Sequence, residues 1–335
     1  MRKLLILFSV LLLASCQKEE GLLEPVFKRE NIGIVNMVSK NGVDYQMQLY
    51  FDLSTNTLKA QNSRDVWDVA LSTDPQNPNL FVNPSMLEAV AATGSTDFNA
   101  TFKTSDYDFV YERAKSFYRK GQMHTDFENG VPAGEVFIID MGLSLQNQKR
   151  GYKLFQITAF EAGKYSLKIA NLDHSNLIEV DIQTENTYNY QFIALADPQE
   201  LLSLEPPKEE WDLYFTKYME RLWDGTDTLD YSVTGCLINP HQVTAYLDSV
   251  SYRDTTFKYE DLTLEDVNEN LLTTRQDIIG HDWKYYSIDA GAYSVYDFKN
   301  YFVKDVADQI YRLHFTGFYD NEGHKGGVTF EYLAL

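Results

Sequence analysis

The sequence predicts an all-β fold of two tandem, mostly antiparallel β domains behind an N-terminal export segment. Short alternating segments bounded by turn residues dominate from about residue 30 onward. Aromatic residues that favour strands are plentiful, with 23 Tyr and 20 Phe against 4 Trp and 7 Met. No long alternation of strands with helices occurs, which argues against a doubly wound parallel sheet. The chain of 335 residues allows two domains or one unusually large one. Its 44% hydrophobic and 23% charged residues exclude wholesale disorder.

Residues 1–15, MRKLLILFSVLLLAS, carry Arg2 and Lys3 ahead of an apolar run from Leu4 to Leu13. That is a positive n-region followed by an h-region too short to span a bilayer. The run ends in Leu13-Ala14-Ser15-Cys16, which resembles the lipobox of bacterial lipoproteins. The resemblance implies cleavage before Cys16 and diacylglycerol on its thiol, anchoring the chain to a membrane; the alternative is a buried N-terminal helix with an incidental cysteine. Gln17-Lys18-Glu19-Glu20 resembles the export signal of surface lipoproteins in the Bacteroidota. The expected order is therefore a signal peptide at 1–15, a lipidated tether at 16–29, and β domains at 30–186 and 187–335. The expected location is the outer membrane, lipid-anchored and exposed at the cell surface. With Cys16 acylated, Cys236 has no disulfide partner and reads as a small buried hydrophobe.

Along the chain, segments starting at Ile32, Tyr45, Gly163 and Val328 read as strands, with turns at Asn41-Gly42, Asp224-Gly225 and 320–327. One helix is expected over Ser105–Lys120, where Tyr107, Val110, Tyr111, Ala114, Phe117 and Tyr118 fall at helical spacing. The halves resemble each other in order. Val66-Trp67-Asp68-Val69-Ala70-Leu71 matches Glu210-Trp211-Asp212-Leu213-Tyr214-Phe215, and the segments at 136–140, 152–160 and 163–169 match those at 301–305, 310–318 and 326–332. A tandem duplication with its seam near residue 186 is the expectation.

Chemistry is sparse. The 29 Lys+Arg against 49 Asp+Glu give a net charge of -20, a field that repels phosphate backbones, so no nucleic-acid partner is expected. The six histidines show no helical metal spacing and no HExxH motif, and the nucleophile-elbow, P-loop and dinucleotide-binding patterns are all missing. Neither Asp224–Asp230 nor the cluster at Glu265, Asp266 and Glu269 matches a calcium loop or identifies a glycosidase pair. The chain is not expected to be an enzyme.

The second half carries Glu205-PPKEEWDLYFTKY-Met219, Val233-TGCLINP-His241, Ile279-GHDWKYY-Ser287, Tyr301-FVKD, Tyr311-RLHFTGFYD-Asn321 and Gly326-GVTFEY-Leu333. With these it resembles the HmuY family of haem-binding surface lipoproteins over about residues 187–335; the first half resembles the family as a diverged copy. The resemblance implies an all-β fold, haem as cofactor, a role in haem and iron acquisition, and an outer-membrane transporter as partner. It also implies two axial His or Met ligands, one of them a few residues after the segment matching Asp282-Trp283. Counted back from Tyr301, that position is Ile288, which cannot ligate iron. His281 stands on the wrong side of Trp283, and no methionine follows Met219. The same count in the first half lands on Met123, followed by His124, with Met86 upstream. Met86, Met123 and His124 are therefore the candidate haem ligands; alternatively both methionines fill a core. The competing function is a surface lipoprotein that binds a non-haem ligand or a protein and kept the scaffold without its axial ligands.

Overall fold

The structure is a computed structural model and describes residues 30–114, 122–123, 133–223, 225–248 and 258–335. The signal peptide, the tether with Cys16, and His124 lie outside the described residues. The first half contains β1 (Asn31–Asn36), β2 (Met47–Asp52), β3 (Thr57–Ser63), β4 (Val69–Ser72), β5 (Leu80–Val82), β6 (Ala89–Ala92), β7 (Val110–Tyr111), β8 (Val136–Asp140), β9 (Tyr152–Glu161) and β10 (Lys164–Asn171). There follow β11 (Ile178–Gln183), β12 (Tyr190–Ala194), β13 (Asp197–Leu202), β14 (Leu213–Trp223), β15 (Thr228–Ile238) and β16 (Thr244–Leu247). The chain ends with β17 (Lys284–Ser287), β18 (Ala292–Val295), β19 (Asn300–Lys304), β20 (Ile310–Tyr319) and β21 (Lys325–Ala334). Among the described residues there is no α-helix, only short 3₁₀ turns, so the all-β expectation holds.

The strands form two sandwiches. One pairs the sheet β11-β10-β9-β8-β6-β7 with the sheet β13-β12-β4-β5 around Leu71, Val82, Phe137, Phe155, Tyr165 and Ile193. The other pairs β1-β21-β20-β19-β16 with β15-β14-β2-β3 around Phe51, Phe215, Trp283, Phe315 and Phe330. Apart from the short β7, the two sandwiches have one strand order: β11 stands where β1 stands, β12 where β2 stands, and β4 where β14 stands.

These sandwiches are not the contiguous stretches 30–186 and 187–335. β1, β2 and β3 precede residue 186 yet complete the second sandwich, with Leu49 opposite Phe215 and Phe51 opposite Leu213. β12 and β13 follow it yet complete the first, with Phe192 opposite Ala70. Each half thus lends its opening strands to the other. Strand pairing is chosen by which apolar faces complete a core, not by nearness in the chain.

The helix expected over Ser105–Lys120 is not formed in its described part. A 3₁₀ turn at Thr104–Asp106 leads into β7, which pairs with β6 through Ala89–Tyr111 and Val90–Val110; residues 115–120 lie outside the described set. Tyr107 and Phe109, two apart, both pack on the cluster of Phe98 and Phe102. That is the period of an extended chain, hidden in the sequence by further aromatics that also fit helical spacing.

The repeated Trp-Asp pair builds the same corner twice. Trp67 and Trp211 are buried, and the carboxylates beneath them accept from backbone N–H groups of exchanged segments: Asp68 Oδ2 from Leu195 at 2.6 Å and Asp212 Oδ2 from Leu53 at 2.8 Å. The side chains of Asn83 and Asn239, each followed by a proline, donate to the carbonyls of Trp67 and Trp211 at 2.9 and 2.7 Å. Arg150 bridges Asp68 at 2.5 Å and Glu88 at 2.7 Å. Among the described residues the second corner has no such arginine bridge, and Asp212 Oδ1 is buried without a hydrogen-bond partner.

Burial pushes the carboxyl of Asp212 up to about 7, that of Glu205 to about 7 and that of Glu112 to about 8. Each therefore holds its proton in the folded chain at a pH where the unfolded chain has released it. Stability should fall as pH rises from about 5 to about 8, by about 1.4 kcal/mol for each unit of net shift. Thermal melts across that range check this, and Asp212→Asn should flatten the slope. A melting temperature that rises towards pH 8 would contradict it.

Candidate functional site

The two methionines of the expected haem site are core side chains. Met86 ends the 3₁₀ turn Pro84–Met86, which Asn83 caps by accepting from the Ser85 N–H. Met86 is 1% exposed, and its sulfur lies 3.0 Å from Arg64 Nη1, which donates to it. Met123 is fully buried in the first sandwich with Val90, Phe137 and Met141. Neither thioether faces any of the clefts described below. Ile288 is 87% exposed in the turn between β17 and β18.

The strands that this turn joins contribute Tyr285, Tyr286 and Tyr293 to a cleft of about 340 Å³ in the second sandwich. Its floor is the β14–β15 hairpin, with Lys217, Ser232 and Thr234; its walls are Tyr45, Tyr231, Tyr285, Tyr286, Tyr293 and Phe318, with His281 and Lys284 at the junction. The wall stands on Trp283, whose indole stacks on Phe315 at 4.1 Å and donates to the Gly280 carbonyl at 3.1 Å. The β17–β18 hairpin is pinned to β20 by the Tyr293 N–H donating to the Tyr319 hydroxyl at 2.7 Å. Opposite, Tyr45 stacks on Phe318 at 6.0 Å. Tyr45 has a φ of 60°, uncommon for a residue with a side chain, and its carbonyl accepts from Arg64 Nε at 2.9 Å. Gly326, at a φ of 102°, lets the Tyr45 ring approach: an added Cβ would stand 3.2 Å from it.

The cations of the cleft are of two kinds. Lys284 Nζ donates to the carbonyls of Thr234 at 2.6 Å and His281 at 3.2 Å, and lies over the rings of Trp283 and Phe318 at 4.3 and 4.5 Å. Its burial pushes its pKa down to about 7. Lys217 is lowered to about 8 by burial and by Arg64, and no carboxylate lies within ion-pair distance among the described residues. Burial and Lys284 likewise lower His281, so its imidazole is neutral and able to donate a lone pair at neutral pH. The exposed rings of Tyr231, Tyr285 and Tyr286 give the mouth flat apolar faces with polar tips.

A larger concavity of about 610 Å³ lies over β9, β10 and β11. There the charged groups already have partners, Lys168 with Glu179 at 3.1 Å and Ser166 with Asp181 at 2.6 Å, and no aromatic ring lines it. Among the described residues no group of three or more His, Cys, Asp or Glu could hold a metal ion by itself. The tyrosine cleft is therefore the candidate site. Spacing relative to Trp283 sets His281 aside in the sequence, yet the chain turns at Gly280, and Trp283 folds back into the core while His281 stays at the cleft. The tyrosines on either side of Ile288 were the signal in the sequence, at 285, 286 and 293.

The sequence model described as HmuY protein matches residues 44–332 of the chain. No curated protein matches it. Among solved structures, apo PinO from Porphyromonas gingivitis is 11% identical, covers 92% of this chain and 97% of its own, and superposes with a TM-score of 0.33. A Bacteroides vulgatus protein described as HmuY-like and heme binding is 11% identical over 91% of this chain and 92% of its own, with a TM-score of 0.23. A Bacteroides fragilis protein described as a lipoprotein is 12% identical over 51% and 89%, with a TM-score of 0.20.

Proposed function

The chain belongs to the HmuY family, through residues 44–332, and from that premise we propose that it is a haem-binding lipoprotein whose ligand lies in the tyrosine cleft of the second sandwich. Membership makes it one of a family of binding proteins. The observation that carries the placement is the cleft itself, where several aromatic faces surround one neutral imidazole, His281. Flat aromatic ligands stack on such faces, and an imidazole or a tyrosinate is a competent axial donor to haem iron. Met86 does not serve, because Arg64 occupies its sulfur. In this reading the lipid on Cys16 holds the protein at the outer-membrane surface, where it takes up haem and passes it to a transporter for iron acquisition.

Haem added to the full chain should produce a shifted Soret band that saturates at one equivalent. His281→Ala should weaken haem binding by about ten-fold or more, the cost of losing an axial donor, while leaving the circular dichroism unchanged. A spectrum of free haem at micromolar protein would favour the second reading, a non-haem or protein-interaction lipoprotein. The exposed Ile288, standing where the resemblance expects a ligand, is the observation on that side.

A further inference from the structure

Lys217 sits on β14 two residues beyond Phe215, at the end of the face that lines the second core. An ammonium held half-buried at such a place is costly unless something pairs with it. The chain has 49 acidic residues against 29 basic ones, so carboxylates are not scarce, yet among the described residues Lys217 has neither an ion pair nor a side-chain hydrogen bond. Lys284 differs, since two carbonyls and two rings satisfy it. Across the hairpin, Thr234 stands opposite Lys217 and Ser232 opposite Met219. The Ser232 hydroxyl also lacks a hydrogen-bond partner. The residues that line the cleft include two lysines, Lys217 and Lys284, and no carboxylate, in a strongly negative molecule.

We propose that this floor is a carboxylate subsite, in which Lys217 pairs with a carboxylate arm of the flat ligand whose rings lie against the tyrosines. The inference rests on the cleft reading above and deepens it: the ligand is a planar aromatic acid recognised by its rings and its carboxylate, with or without a metal at its centre. Stacking needs only the ring faces, and the ion pair needs only the arm. Iron then adds the bond from His281 and is not what admits the ligand.

The test uses the full chain and three probes: haem, iron-free protoporphyrin, and the dimethyl ester of that protoporphyrin. Fluorescence and Soret titrations should show iron-free protoporphyrin binding about ten-fold more weakly than haem, the same loss as His281→Ala gives haem, and the ester about ten-fold more weakly again, the loss expected for a desolvated ion pair. Lys217→Met should weaken the free acid by about the same factor and leave the ester unchanged, and Lys217→Arg should restore the acid. Equal affinity for acid and ester, or acid binding untouched by Lys217→Met, overturns the subsite while leaving haem in the cleft. Failure of haem itself to bind overturns the cleft reading and the subsite with it.

Discussion

Produced separately, residues 21–186 and residues 187–335 are each expected to remain unfolded and to recover the native spectrum only when mixed. The first fragment takes β1 to β3 with it, removing Val35, Met37, Leu49, Phe51 and Leu53 from the second core. Burying five such side chains contributes about 1.5–3 kcal/mol each, a sum comparable to the whole stability of a domain at about 5–15 kcal/mol. The second fragment takes Tyr190, Phe192, Ile193 and Leu195 from the first sandwich in the same way. Circular dichroism melts of each fragment and of the mixture measure this. A cooperative transition in either fragment alone, near that of the full chain, would refute it. Isolated halves are accordingly a poor means of locating the ligand.

Met86→Ala combined with Met123→Ala should lower stability by about 4–10 kcal/mol, from about 2–5 for each large-to-small change in a core. Both side chains are fully enclosed, and they pack in different places, so their effects should add. The discriminating measurement is haem binding by whatever fraction stays folded, for instance with only one methionine changed. It should keep its affinity and spectrum. A lost low-spin signature without a lowered melting temperature would return the methionines to the haem.

The strands were legible because apolar and polar residues alternate along them, as in the segments starting at Ile32, Tyr45, Gly163 and Val328. The Trp-Asp pair was legible only as a repeated motif, at 67–68 and 211–212. Which acceptor and donor completed it was not, because Leu53 and Leu195 lie far from Asp212 and Asp68 in sequence. The exchange of opening strands was hidden for a related reason: β2 and β12 are interchangeable in composition, and only the geometry of closure decides which core each enters. The helical reading near Tyr107 failed where aromatic residues are dense enough to satisfy two periods at once. The methionines were chosen by counting from Val136, a count that says nothing about burial or about the guanidinium of Arg64. His281 was passed over because sequence order cannot register the reversal at Gly280.

The exchange also sets the order in which the chain can mature. β1 is complete early in synthesis, but the strand it pairs with, β21, carries Tyr332 opposite Asn31 and is made about 300 residues later. During that interval Leu49 and Phe51 can pair only within the β2–β3 hairpin and have no core to enter. Contacts so distant in sequence slow folding and prolong the exposure of sticky intermediates. The first sandwich, whose strands β4 to β13 follow one another without interruption, can close while the rest is still emerging. The second must wait for the last strand, and a holding chaperone would find its target in the opening segment.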